Sequence, residues 1–489
     1  MGTLLRPGAF VLLLAAALSN VAQDVAADLS NVAQDVAADL SNVSAQAPAP
    51  LKTAITYADV QPIWELLRPQ LPPTLASATA ETRESAFHGW VRAQDADIRG
   101  RVARGDEDSL VNLWLFGTSF TDLPPARPRD VAMSGDGATL AQISDGRLVD
   151  FLAALASPSA NERMRWAAEF FRGRGIDPAT SSGAGRVRDL LAAVGRRMLS
   201  ENADFRGALA APNAAADPLA WMAPYASLYS DRGLSSDTSI LSSFAVDTAL
   251  EAIAMSGMVR AGTIRRVAVV GPGLDFINKA DGHDFYPEQT IQPFAVIDSL
   301  IRHGLAQSGA LSVTTFDVSA RVNRHLAAAR DRARDGHGYV VQFPLGSDER
   351  WSPSLVAYWE RVGNRIGDVE RASPAPRSAG TVKARAVRVR PDIVRSITPL
   401  DLNIVFERLE PRADEDGFDL VVATNVFVYY DTFQQALAMT NVGRMLRAGG
   451  SLLSNQAVRP VPPMTSAVGH ETAVHSDRQF DHLFWYRRQ

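Results

Sequence analysis

The residues with the most chemistry in them stand in one run from Arg265 to Phe276, RRVAVVGPGLDF, and at Asp317, which closes the apolar stretch Leu311–Phe316. Gly271 and Gly273 break a β-branched run into a turn. A glycine there lets backbone N–H groups approach a ligand more closely than any Cβ allows. A carboxylate at the tip of the following strand can accept hydrogen bonds from both hydroxyls of a ribose. The order strand, glycine turn, helix, strand, acidic residue therefore describes a site for a nucleoside-bearing cofactor. It would lie at the carboxyl ends of parallel strands, where open α/β sheets keep their binding crevice. The plainer reading of Asp317-Val-Ser is a cap for the helix through Arg321–Arg334.

Those residues need a sheet to hold them. A helix is expected at Gln289–Gly304, after an inserted His283-Asp-Phe-Tyr-Pro-Glu288. Farther on, Gly417-Phe418-Asp419 leads into a long apolar strand, Leu420–Tyr430. A helix, Phe433–Leu446, follows, and Arg447-Ala-Gly-Gly then opens a strand through Ser454. A second insertion, Tyr339 to Arg390, carries the apolar run Val340–Pro344, a Pro/Ser/Arg-rich linker at Ala372–Gly380 and a strand at Ala384–Val389. Its Trp351, Tyr358 and Trp359 are read first as local packing and second as walls of an acceptor pocket.

The segment FDLVVATNVFVYYD, followed by MLRAGGSLL, resembles the fourth- and fifth-strand region of class I S-adenosylmethionine-dependent methyltransferases, and the resemblance covers about Phe244 to Gln489. It implies an α/β fold, a Rossmann-like seven-stranded methyltransferase sheet with Phe480–Arg488 as its antiparallel last strand. It also implies S-adenosylmethionine as cofactor and methyl transfer to an acceptor that the sequence does not identify. Gly271 and Gly273 match the turn beneath the cofactor's methionine part, and Asp317 matches the ribose-binding carboxylate. Asp401, in Pro399-Leu-Asp-Leu-Asn403, matches the polar residue near the adenine amino group. Asn425 and Val426 fall at the end of the fourth strand, facing cofactor and acceptor.

Two positions depart from the family pattern. Val269 stands where an acidic residue is frequent, which removes a partner for the cofactor's ammonium or an ordering contact in the turn. Asp275 stands where a third glycine is common and would supply a substitute charge. A general base is needed only for an acceptor that carries a proton at neutral pH. The candidates for base or acceptor binder are Tyr286, Glu288, Tyr429 and Tyr430. Two other readings stand beside this one. The first is a degenerate, non-catalytic methyltransferase-like binding module, exported from the cell. The second is a nicotinamide-dependent oxidoreductase, against which Phe276 occupies the place of the third glycine in that fingerprint.

The rest of the chain sets bounds. With 489 residues the expectation is a leader and linker (1–50), a helical domain (51–243) and the methyltransferase-like domain (244–489) with its insertion at about 339–390. A net charge of −5 gives no electrostatic reason to expect nucleic acid. The absence of cysteine excludes disulfides, thiolate metal sites and a cysteine nucleophile. No metal site is expected: in His470-Glu471 and His475 the second histidine is one position too late to share a helix face, and a polar loop is predicted there.

Met1–Leu18 reads as a secretory signal, too short to span a bilayer. The protein would be secreted or periplasmic if that holds and cytoplasmic if it does not. The unit LSNVAQDVAAD occurs at 18–28 and again at 29–39, and lengthens that tail. Between Tyr57 and Gly257 the spacing predicts helices at Val60–Leu67, Glu81–Ala103, Leu148–Ala156, Ala160–Arg172, Val187–Leu199 and Phe244–Gly257, with a loop at Ser181-Ser182-Gly183. The large aromatics of this region, Trp114 and Phe171 among them, are read as core. Tyr229–Ser239 is either a segment that closes over a ligand or an N-cap and linker.

Overall fold

The computed structural model describes residues 51–126, 137–210, 232–237, 241–275, 284–346, 351–380, 382–473 and 480–489. The leader, its repeat and His475 lie outside the described residues. Ten strands matter to the site: β1 (Arg266–Val270), β2 (Ser312–Asp317), β3 (Tyr339–Gly346), β4 (Gly367–Glu370), β5 (Lys383–Val389), β6 (Ile397–Asp401), β7 (Phe418–Ala423), β8 (Leu446–Ser454), β9 (Met464–Ala473) and β10 (Phe480–Arg488). Seven of them form one sheet in the order β9-β10-β8-β7-β1-β2-β6. Strands β6, β2, β1, β7 and β8 run parallel, and β10 is antiparallel to both β8 and β9. This is the Rossmann-like seven-stranded sheet expected, with Phe480–Arg488 as its antiparallel last strand.

Strand β1 shows why the sheet is stable. Val267 and Val269 enter one apolar cluster, and Ala268 and Val270 enter the other, so both faces are covered. A strand buried on both sides needs a continuous apolar run rather than an alternating one. The faces are covered by α5 (Leu241–Ser256), α6 (Gln292–Arg302) and α7 (Ala320–Arg334), and by α9 (Thr432–Met445). Helix α9 starts where it does because Asp431 and Gln434 form a reciprocal capping box directly after Tyr430.

The amino-terminal region holds α1 (Arg83–Phe116), α2 (Gly137–Ala156), α3 (Glu162–Gly173) and α4 (Ser181–Ala210). Residues 52–489 pack as one compact unit. Helix α1 serves both parts of it: Phe87 and Ile98 pack with the sheet, while Leu110 to Phe116 belong to a separate cluster with α2, α3 and α4.

Four local expectations are corrected. The strand expected over Leu420–Tyr430 ends at Ala423, because Asn425 takes a left-handed φ of +59° and Phe427–Tyr429 coils into a 3-10 turn. His470 and Glu471 lie in β9, paired with Leu483 and His482, rather than in a polar loop. Ser181-Ser182-Gly183 is the first turn of α4, its entry fixed by Thr180, whose hydroxyl accepts from the Gly183 N–H at 3.0 Å. Val60–Leu67 is a one-turn helix, Tyr57–Val60, running into a 3-10 turn at Pro62. In the insertion, β3, β5 and β4 form a three-stranded sheet carrying α8 (Pro353–Arg361). Tyr358 and Trp359 are fully buried in the sheet's cluster and Trp351 packs against it, so the insertion's aromatics are core.

Candidate functional site

The site begins where the sheet changes direction. From β1 the chain builds outward through β2 to β6, then returns to place β7 on the other side of β1. Such a reversal leaves a crevice at the carboxyl ends of the two central strands. Here that crevice is lined by Val270, Gly271 and Gly273 after β1, by Asp317 and Ser319 after β2, by Leu402 and Ile404 after β6, and by Thr424, Asn425 and Val426 after β7.

The glycine turn is built for close approach. Gly271 and Gly273 have φ of +62° and +56°, and the Gly271 N–H donates to the Phe316 carbonyl at 2.8 Å, which ties the turn to β2. A Cβ on Gly271 would fall 2.9 Å from Val426 Cγ2, so a side chain there would close the crevice floor. Asn425 is fixed by a reciprocal pair with Asn455: its N–H donates to Asn455 Oδ1, and Asn455 Nδ2 donates to its Oδ1, each at 2.7 Å.

Asp317 stands on the crevice wall at the end of β2, in register with Asp401 on β6. Burial pushes its carboxyl up to about 7. Backbone N–H groups of Ser319, at 2.7 Å, and of Gly273 oppose that rise, and the nearby Asp401 charge adds to it. Asp401 itself is turned away: its carboxylate accepts from Arg99 Nη1 at 2.9 Å and is half exposed, outside the crevice lining.

The other sequence candidates separate in space. Tyr429 and Tyr430 line the crevice, the Tyr430 hydroxyl being buried and held well above the usual tyrosine range by loss of solvent. Asp275 does not reach the crevice. Its Oδ2 accepts from the Tyr286 hydroxyl at 2.7 Å and from Gln289 Nε2 at 2.9 Å, and burial raises its pKa. Arg163 of α3 donates to the Tyr286 and Asp275 carbonyls, and Asp284 accepts from the Thr118 N–H and hydroxyl, each at 2.6 Å. The segment after the glycine turn is thereby bolted to the helical region, which carries Asp275 and Tyr286 away from the ligand space. Glu288 is paired with Arg321 at 2.5 Å and lines a second cleft, with Trp166, His325 and Tyr339.

Sequence reasoning missed the far wall. Val102 of α1 and Leu234 to Asp237 complete the crevice. For Tyr229–Ser239 the sequence leaves open a segment over a ligand or an N-cap and linker; its described part, 232–237, packs on the turn, where the Leu274 N–H donates to the Ser236 carbonyl at 2.7 Å and Asp237 bridges Leu274. Helix α1 holds that strap. The buried Arg101 donates to the Arg232 carbonyl at 2.8 Å and the Tyr429 carbonyl at 3.1 Å, and the Leu234 N–H donates to the Arg101 carbonyl at 2.9 Å. Gly105 permits the contact, since a Cβ there would sit 2.0 Å from the Leu234 carbonyl oxygen.

The sheet order and the crevice together define the class I methyltransferase fold. Among solved structures the chain is similar to the N-methyltransferase NodS from Bradyrhizobium japonicum, with 13% identity, 50% of this chain and 97% of that one covered, and a TM-score of 0.23. It is also similar to magnesium protoporphyrin IX methyltransferase from Synechocystis with bound S-adenosylmethionine, with 12% identity, 57% and 100% coverage and a TM-score of 0.25. At such TM-scores the fold rests on strand order and register rather than on these neighbours. No protein-family model matches the chain, and no curated protein matches it.

Proposed function

We propose that the protein binds S-adenosylmethionine in the crevice between β1 and β7 and transfers its methyl group to an acceptor. The observation that carries this reading is the pairing, across one crevice, of a left-handed glycine turn, where a Cβ on Gly271 would meet Val426, with a carboxylate at the tip of the next strand. Gly271 and Gly273 would lie beneath the methionine part, Asp317 would accept from the ribose hydroxyls, and Leu402 and Ile404 would flank the adenine. The cofactor supplies an electrophilic methyl on a sulfonium. What the chain contributes is position, the main term in an in-line displacement. Val426 and Tyr429 would face the acceptor, and the walls from Val102 and the strap would keep water out.

Calorimetric titration of the full chain with S-adenosylhomocysteine tests the reading: saturable binding is expected, weakened at least tenfold by Asp317→Ala. A folded protein that gives no heat at millimolar ligand overturns it. Binding without transfer is the second reading, and two of the four candidate bases favour it. Tyr286 is committed to Asp275 and Glu288 to Arg321. Transfer of the labelled methyl to any acceptor in a metabolite extract separates the two.

A further inference from the structure

We propose that Asp237, on the strap, is the carboxylate that receives the ammonium group of the cofactor's amino-acid tail; the inference rests on the cofactor reading above. A nucleoside sulfonium with an amino-acid tail brings a primary ammonium to the glycine-turn end of the crevice, and that cation needs a carboxylate or several carbonyls. Strand β1 offers none. Val269, the position from which a carboxylate could come, is fully buried and points into the apolar cluster with α5, α6 and α8. Asp275, the other sequence candidate, is held by Tyr286 and Gln289.

Asp237 is in the right place. It lines the crevice together with Gly271 and Gly273, and its backbone bridges Leu274, one residue past the turn. The strap's register is fixed by the Leu274 N–H to Ser236 carbonyl bond and by Arg101, so the position of the carboxylate follows from backbone hydrogen bonds. Asn112 Nδ2 of α1 approaches its Oδ2 at 3.4 Å, which orients the group. The surroundings are acidic on that side. Burial raises the Asp106 carboxyl to about 6 and raises that of Asp275, and the Asp237 charge adds to both. Arg321, Arg163 and Arg174 offset part of that charge.

The test compares two ligands on two proteins by calorimetry. S-adenosylhomocysteine carries the amino-acid tail; 5′-methylthioadenosine has the same adenosine and thioether without it. Wild-type protein is expected to bind the first at least tenfold more tightly. Asp237→Asn is expected to lose that advantage while its affinity for methylthioadenosine stays within twofold of wild type. Equal affinity of the wild type for both ligands, no loss with Asp237→Asn, or equal losses for both ligands each overturn the assignment and leave the cofactor reading in place. A wild-type protein that binds neither ligand overturns both. If Asp237→Asn fails to fold, judged by its thermal melt, Asp237→Ser carries the same comparison.

Discussion

Raising the pH from 5.5 to 8 should tighten S-adenosylhomocysteine binding by roughly thirtyfold, through one group. Burial lifts Asp317 to about 7, against 3.8 for the free side chain. Ribose hydroxyls donate to it, so the ligand prefers the ionised form. With that pKa, about 3% of the carboxyl is ionised at pH 5.5 and about 90% at pH 8, a ratio worth about 2 kcal/mol. The same group acts on stability with a defined sign. Its folded pKa lies above the unfolded one, so the folded protein holds the extra proton. The contribution is lost as pH rises from about 4 to about 7 and is flat above that. The full shift corresponds to about 4 kcal/mol; solvent at the crevice mouth reduces it to about 2 kcal/mol. Calorimetry in two buffers of different ionisation enthalpy should show nearly one proton released on binding at pH 6, and none with Asp317→Asn. An affinity that does not change from pH 5.5 to 8, with no proton released, would refute the assignment of Asp317 to the ribose.

Gly271→Ala should cost about 1–2 kcal/mol, from a left-handed φ on an L-residue, and should abolish ligand binding because the new methyl meets Val426. Urea unfolding together with titration checks both parts, and binding that survives would show that the turn does not form the floor. Arg101→Met should cost about 3 kcal/mol, from charged hydrogen bonds to the half-buried Arg232 and Tyr429 carbonyls, and should also lower S-adenosylhomocysteine affinity by freeing the strap. Loss of stability with unchanged affinity would detach the strap from the ligand site.

Much of the sheet was written in local pattern. β1 and β7 are apolar runs rich in valine, β2 carries the β-branched Val313, Thr314 and Thr315, and β8 is marked by the Gly-Gly turn before Leu452-Leu453, and those signals survive without any tertiary information. What was not legible depends on partners distant in sequence. Met464–Ala473 mixes His470, Glu471 and Thr472 with apolar positions, and it becomes a strand only because β10 offers it a ladder. Leu420–Tyr430 is mostly apolar, and the left-handed Asn425 in its middle ends the strand. In the site, Gly271, Gly273 and Asp317 stand out from the order of strand, turn and acidic residue, whereas Asn425 and Val426 are placed only through the methyltransferase resemblance. Asp275 could not be placed, because its orientation is set by Arg163, Tyr286 and Gln289 from other segments. Val102 gave no signal at all: it reads as one more apolar residue on a helix until α1 lies across the crevice.

A helix shared between two apolar clusters also governs how the molecule comes apart. The first half of α1 packs with residues that cover one face of the sheet, and its last seven residues sit inside the helical cluster. Neither cluster can melt without baring the part of α1 that the other retains, so a calorimetric scan should show a single endotherm rather than two. Cutting the chain at residue 243 would not liberate a free-standing half, because Ala268, Val270 and Val421 would lose the Trp64 and Phe87 side of their cover.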